Sequence, residues 1–290
     1  MEKAGWILYD DADYELNKAF AAHMIQEAAK RAISVKLVLL SQLHFVMDAG
    51  RLACLVSGRP VQPDFVISRQ RDPLISATLE QAGIRVYNNA RVCEICNDKR
   101  KTHLFLHGLP MLQTTFSAGG RSAPPEPEHF PLIVKPVFGH GGDRIFWTKT
   151  QAEWQSAASR IFPEPFLQQK IASDFGRDLR VYVLAGKIVA SVMRTAKEGF
   201  ISNYKKGGDV ALHTLTKREN ALAMQVIKRF ALAGAPLCFA GIDFLYDQGE
   251  PVVSEVEDVV GSRMLYHVSN IDIAGLFLDS LAQGGFDGSY

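Results

Sequence analysis

Residues 118–131 read A-G-G-R-S-A-P-P-E-P-E-H-F-P, with four prolines in the stretch. Proline has no N–H to donate and disfavours helix in the residue before it. No helix or central strand can run through such a segment, so the chain is expected to divide there. The two sides differ in pattern. Before the break, strands are predicted at 6–9, 35–40, 64–68 and 84–87, with helices at 14–31 and 73–82. Such βαβ alternation builds a parallel sheet covered by helices. After it, strands pair as hairpins, 179–184 with 188–194 through Ala185-Gly186-Lys187, and 241–246 with 251–257 through Asp247-Gln248-Gly249. Strands at 131–136 and 144–147 flank a glycine-rich turn, and helices are predicted at 151–161, 216–233 and 270–282. The expected fold class is an α/β N-terminal domain with a parallel sheet, followed by α+β domains with antiparallel sheets.

The length of 290 residues suits one large or two ordinary domains. Lys and Arg number 32 against 31 Asp and Glu, a net charge of +1, which gives no bulk attraction to nucleic acid or an anionic membrane. The opening M-E-K-A-G-W-I-L-Y-D-D has too short an apolar run for a signal peptide, and no run approaches the roughly 20 residues of a membrane span. A cytoplasmic protein is expected. Of four cysteines, Cys93 and Cys96 form C-E-I-C. A zinc site needs two more ligands and there is no second pair, so reduced thiols on a short helix are the reading.

Ser254 to Val260, S-E-V-E-D-V-V, packs Glu255, Glu257 and Asp258 into an otherwise apolar segment. Side chains alternate along a strand, so Glu255 and Glu257 share a face, and the hairpin partner brings Asp243 in G-I-D-F-L. The cluster fits either a solvated sheet face or a hard-cation site with oxygen ligands. Lys135-Pro136-Val137-Phe138-Gly139-His140-Gly141-Gly142 ends a buried strand with a lysine and a glycine-rich loop, which suits a phosphate nest or an ordinary turn. It matches neither G-x-x-x-x-G-K-[ST] nor G-x-G-x-x-G. Asp98-Lys99 opens a helix over 99–107. Residues 195–212 form a polar, basic loop with Lys197, Lys205 and Lys206, either a mobile cover over an anionic substrate or plain surface. Arg69 and Arg71 follow a strand end, where open sheets bind ligands, and suit an acidic substrate or a surface salt bridge.

In their order, N-D-K-R-K-T, L-I-V-K-P-V-F-G-H-G-G-D-R-I, F-L-Q-Q-K-I, G-R-D-L-R-V-Y-V-L-A-G-K-I-V-A, I-S-N-Y-K-K-G-G, A-G-I-D-F-L and V-S-E-V-E-D resemble the ATP-grasp ligases. The resemblance is closest to the RimK-like branch, which adds amino acids such as glutamate to a peptide or small acceptor, and it covers nearly the whole chain. It implies three parts: a pre-ATP-grasp domain over 1–97, a central subdomain over 98–167 and a C-terminal subdomain over 168–290. It implies that Lys99 and Lys135 contact ATP phosphates, that Gly139, His140, Gly141 and Gly142 cover them, and that Gln168, Gln169, Lys170 and Ile171 frame adenine. Asp178 and Arg180 match the family's D-x-R, Arg194 its phosphoryl-stabilising arginine and Asn203 its S-N position. Asp243 and Glu255 match the carboxylates for Mg²⁺ (or Mn²⁺), with Glu257 beside them.

Two positions depart from the family habit, since Gln169 stands for a hinge Glu and Glu257 for the Asn of E-x-N. The implied activity is an ATP-dependent carboxylate–amine ligase working through an acyl phosphate, on small-molecule carboxylate and amine substrates or a peptide or protein acceptor. The homo-oligomers common in the family are part of the same implication. An ATP-grasp kinase and a non-catalytic ATP-binding regulatory protein are the alternatives.

Overall fold

The structure, a computed structural model, describes residues 3–118, 124–142, 144–196, 208–284 and 286. The chain opens with β1 (Lys3–Tyr9), α1 (Asp11–Ala29) and β2 (Ile33–Leu39). Next come β3 (Leu43–Asp48), β4 (Arg51–Val56) and β5 (Arg59–Pro60), then β6 (Phe65–Ser68), α2 (Pro73–Gln81) and β7 (Arg85–Tyr87). The first sheet runs β2-β1-β6-β7, every pair parallel. Its inner strand β1 is buried from Gly5 to Tyr9, as a strand covered on both faces must be. Asp10 starts α1 by accepting from Ala12 N, and Asp72 starts α2 in the same way from Leu74 N. The β3–β4–β5 sheet was not predicted, although its turns are written in the sequence. Ala49-Gly50 and Ser57-Gly58 all take positive φ, the two-residue hairpin geometry.

α3 (Ala90–Asn97) carries Cys93 and Cys96, both free thiols whose pKa burial pushes up. α4 (Lys99–Phe105) begins at Asp98, whose carboxylate accepts from Arg100 N. A second sheet, β10-β9-β11-β8, is built from β8 (Thr114–Phe116), β9 (Leu132–Pro136), β10 (Phe146–Thr148) and β11 (Phe166–Lys170), with α5 (Gln151–Ile161) against it. The proline-rich break contains only a single 3-10 turn, Pro127–His129, among its described residues.

The third sheet runs β14-β13-β12-β15-β16 and is antiparallel throughout. Its strands are β12 (Arg177–Leu184), β13 (Lys187–Thr195), β14 (Asp209–Leu212), β15 (Phe239–Asp247) and β16 (Glu250–Glu257). Between β14 and β15 lies α6 (Lys217–Leu232), opened by a Thr216/Glu219 capping box. Its Leu222, Val226 and Phe230 pack on Leu179, Val181 and Val183, so one face of this sheet is dry. Each such side chain contributes about 1.5–3 kcal/mol on full burial. The other face is left to carry charge.

α7 (Arg263–Val268) and α8 (Ile273–Ala282) replace the single closing helix expected from the sequence. They return to the first sheet, because the largest core cluster joins Ile7, Met24 and Phe65 to Tyr182, Leu265 and Phe277. This core joins the first expected segment, 1–97, to the third, 168–290, and takes no residue from 98–167. Polar contacts reinforce it, with Arg31 Nε donating to Asp279 at 2.6 Å. Buried Asn88 donates to the carbonyls of Phe239 and Asp258 and accepts from Cys238 N and Phe239 N.

Candidate active site

The charged face of the third sheet follows from register alone. Residues directly opposite in an antiparallel pair lie on one face, as do residues two apart. Asp178 pairs with Arg194, and Arg180 with Asp243, which in turn pairs with Glu255. Asp178 and Arg180 are two apart, as are Glu255 and Glu257, so six ionisable side chains share one surface. Gly241 sits opposite Glu257, and a Cβ there would lie 2.7 Å from Val260 Cγ2 and 3.5 Å from Arg180 Cδ. A side chain at 241 would crowd the arginine.

These side chains pair closely. Arg180 donates to both oxygens of Asp243, at 2.7 and 2.6 Å, and lies 2.7 Å from Glu257. Arg194 bonds Asp178 and donates to Asp243 at 2.9 Å. The second sheet faces them across a cleft. Lys135, next to the end of β9, lies 3.5 Å from Glu255, and Lys99, at the start of α4, lies 3.6 Å from it. Lys99 also donates to the Gly139 carbonyl. Gly141 and Gly142 take φ of 68° and 78°, which glycine adopts without strain. Ile133, Ile145 and Leu245 give the cleft an apolar wall beside the charged groups.

The charges do not balance uniformly. Burial disfavours the charged form of Asp243, but Arg180 and Arg194 outweigh it and hold its pKa well below the usual range. Glu255 is lowered because Lys99 and Lys135 overcome its burial. Glu257 is raised, by burial and then by Asp243 and Glu255, against the pull of Arg180. Lys135 is lowered by burial and by Lys99. A site that penalises both an extra carboxylate and a buried lysine is built for mixed charge, a hard cation beside the carboxylates and an anion beside the lysines.

Sequence comparison agrees with this geometry. The RimK-like ATP-grasp domain matches residues 125–281, more than half of the chain. This chain belongs to the RimK-like ATP-grasp family. Beta-citrylglutamate synthase B of Mus musculus is 29% identical, over 96% of this chain and 76% of that protein. N-acetylaspartylglutamate synthase A of Homo sapiens is 29% identical, over 88% of this chain and 69% of that protein. Among solved structures, the ATP-grasp ligase PsnB, complexed with a phosphomimetic variant of its minimal precursor, Mg and ADP, superposes with a TM-score of 0.71 at 16% identity, covering 98% of this chain and 99% of that one. The fold is thus the ATP-grasp fold.

In this ATP-grasp protein, Lys99, Lys135, His140, Gln169, Asp178 and Arg180 line one cleft with Gly139, Gly141 and Gly142, and with Arg194, Asp243, Glu255 and Glu257. Gln168, Gln169, Lys170 and Ile171 border a neighbouring groove against residues 124–132, and of these four only Gln169 also lines the charged cleft. Gln169 donates to Thr114 Oγ1 at 3.0 Å. Asn203 and the three lysines of the basic loop fall outside the described residues. The sequence reading missed His103, whose Nε2 is buried without a partner behind the lysines. Burial, Lys135 and Lys99 pull its pKa down to about 4, so it is neutral near pH 7. Its position four residues after Lys99 on one helix face was the available signal.

Proposed function

We propose that the protein is a cytoplasmic, ATP-dependent acid–amino-acid ligase that joins an amino acid such as glutamate to a carboxylic-acid or peptide acceptor and releases ADP and phosphate. The observation carrying this reading is the pairing across one cleft of Lys99, Lys135 and the 139–142 loop with Arg180, Arg194 and the carboxylates of β15 and β16. The names of the relatives support the choice of glutamate. Absence of a long apolar helix among the described residues agrees with a protein that does not cross a membrane by helices.

The donor set fits Mg²⁺, which takes oxygen ligands. Asp243, Glu255 and Glu257 would hold it; the pKa of Glu257 is raised first by burial and then by Asp243 and Glu255, and a divalent cation would relieve that second, like-charge part. When bound, Mg²⁺ supplies charge neutralisation at the phosphates. The chain's own residues do the rest. Lys99 and Lys135 bind phosphate oxygens, while backbone N–H groups of 139–142 cover them. Arg180 and Arg194, already fixed by Asp178 and Asp243, face the charge that develops as the acid's oxygen attacks the γ-phosphorus and ADP leaves. The same arginines hold the acyl phosphate while the amine nitrogen attacks its carbonyl carbon, loses a proton and displaces phosphate.

The test is ADP release from Mg²⁺-ATP across matrices of acids and amino acids, with mass spectrometry of active mixtures. A product equal to acid plus amine minus water establishes the reading. A phosphorylated product, or ATP binding with no release in any mixture, overturns it.

A further inference from the structure

A second cavity adjoins the nucleotide cleft, between the C-terminal ends of β1 and β6 and the segment 255–263. Open α/β sheets bind ligands at such strand ends. Cations on its wall are mostly paired: Arg71 with Asp13, Arg180 with Asp243 and Glu257, and Arg194 with Asp178 and Asp243. Arg69 is the buried exception. It is 5% exposed, and no carboxylate among the described residues is in ion-pair contact with it, the charge of Asp258 acting on it only through space. Its guanidinium lies 5.1 Å from the Phe20 ring centroid and 5.6 Å from that of Phe239, while Nη2 donates to the Val260 carbonyl at 2.8 Å. Its Nε has no partner. Tyr9, at the end of β1 and 1% exposed, contributes a second buried polar atom without a partner, its Oη. Asp258, on the same wall, accepts from Asn97 Nδ2 at 3.0 Å on both oxygens and pairs with neither arginine.

A buried guanidinium nitrogen without a hydrogen-bond partner is costly, and so is a buried hydroxyl without a bond. Both costs fall at one place, on the wall of a cavity that opens beside the phosphoryl-transfer groups. We propose that Arg69 and Tyr9 Oη, with Arg71 released from Asp13, bind a substrate carboxylate that does not itself react. The inference rests on the ligase reading and narrows it, because one substrate must then carry at least one carboxyl group beyond the one activated or left as the free acid end. That carboxylate comes from the acid or from the amino acid.

Titration calorimetry with Mg²⁺-ADP present separates these sources, using citrate as the probe acid and glutamate as the probe amino acid. Tyr9→Phe removes an atom that bonds nothing in the protein and should fold normally. Arg69→Gln is the stronger perturbation and is checked by thermal melting. Loss of a hydrogen bond to a charged group corresponds to about 10- to 100-fold in affinity. The expected result is a loss in that range for Arg69→Gln and a smaller one for Tyr9→Phe, on whichever probe occupies the pocket, with ADP affinity unchanged. Equal affinities in wild type and both variants overturn the proposal, as does failure of both probes to bind while ADP binds. Carboxylate binding with the expected losses, beside no ADP release in any acid–amine mixture, would overturn the ligase reading and keep Arg69 and Tyr9 as a carboxylate-binding site.

Discussion

Glu255→Gln removes one charge and little volume, so its effect can be worked from the structure. Glu255 Oε1 lies 3.6 Å from Lys99 Nζ and 3.5 Å from Lys135 Nζ. At an effective dielectric near 20, each contact is worth about 4–5 kcal/mol of Coulomb attraction, before desolvation is subtracted. Breaking one side of a buried pair typically costs about 3–5 kcal/mol. Two features reduce that here. The Glu255 side chain is 28% exposed, and Lys135, lowered already by burial, can shed its proton. We expect about 2 kcal/mol of lost stability, or roughly 3 °C in melting temperature for a chain of this size.

Turnover should suffer more. A carboxylate between the proposed cation and the phosphates acts on developing charge, and its loss should lower kcat by at least about 100-fold. Coupled ADP release with an active acid–amine pair measures this. Affinity for ATP in EDTA should move the other way and tighten, because a negative charge facing phosphate has been removed. A kcat within threefold of wild type, or weaker metal-free ATP binding, would refute the assignment of Glu255.

Asp243→Asn leaves Arg180 and Arg194 without their shared anion, and should cost about 3–5 kcal/mol in chemical denaturation and abolish ADP release. Asn88→Ala deletes four hydrogen bonds of a residue that does not line the charged cleft, and should cost about 3 kcal/mol while leaving the KM for ATP unchanged. Burial raises the pKa of Asp258 to about 6, above an unfolded value near 4, so its protonation favours the fold below pH 4 and that contribution is lost as pH rises through 6. His103, lowered to about 4, has the opposite sign, its contribution being present above pH 6.5 and lost as pH falls through 4. The two offset between pH 4 and 6.5, so Asp258→Asn should expose a loss of order 2–3 kcal/mol on acidification, read by urea unfolding at pH 4.5 and 6.5. A variant whose stability is flat over that range contradicts the pairing.

Local signals carried much of this fold. Caps at Asp10, Asp72, Asp98 and Thr216 set helix starts within a few residues, and period-two alternation put Glu255 and Glu257 together. Spacing along the chain left β3–β5 unread because three short, half-exposed strands give no strong alternation, and only their turns speak. Partner choice was the larger gap. That Arg180 serves both Asp243 and Glu257, or that Arg69 lies buried between Phe20 and Phe239, depends on which strands become neighbours. A one-residue change of register would move each of these side chains to the other face.

Glu257 in place of the family's Asn is the feature that most invites a non-catalytic reading, and the charge count argues against it. At full ionisation Lys99, Lys135, Arg180 and Arg194 face Asp178, Asp243, Glu255 and Glu257, four cations against four anions. Asn at 257 would leave the cluster one charge positive, with Arg180 held by Asp243 alone. With Glu257 present, Arg180 is gripped from two strands before any substrate arrives. An arginine fixed in advance need not reorganise when charge develops beside it, and reorganisation is the cost that a catalytic site must avoid. The extra carboxylate therefore stiffens the site, at the cost of a second acidic group brought into a buried cluster that already holds Asp243 and Glu255.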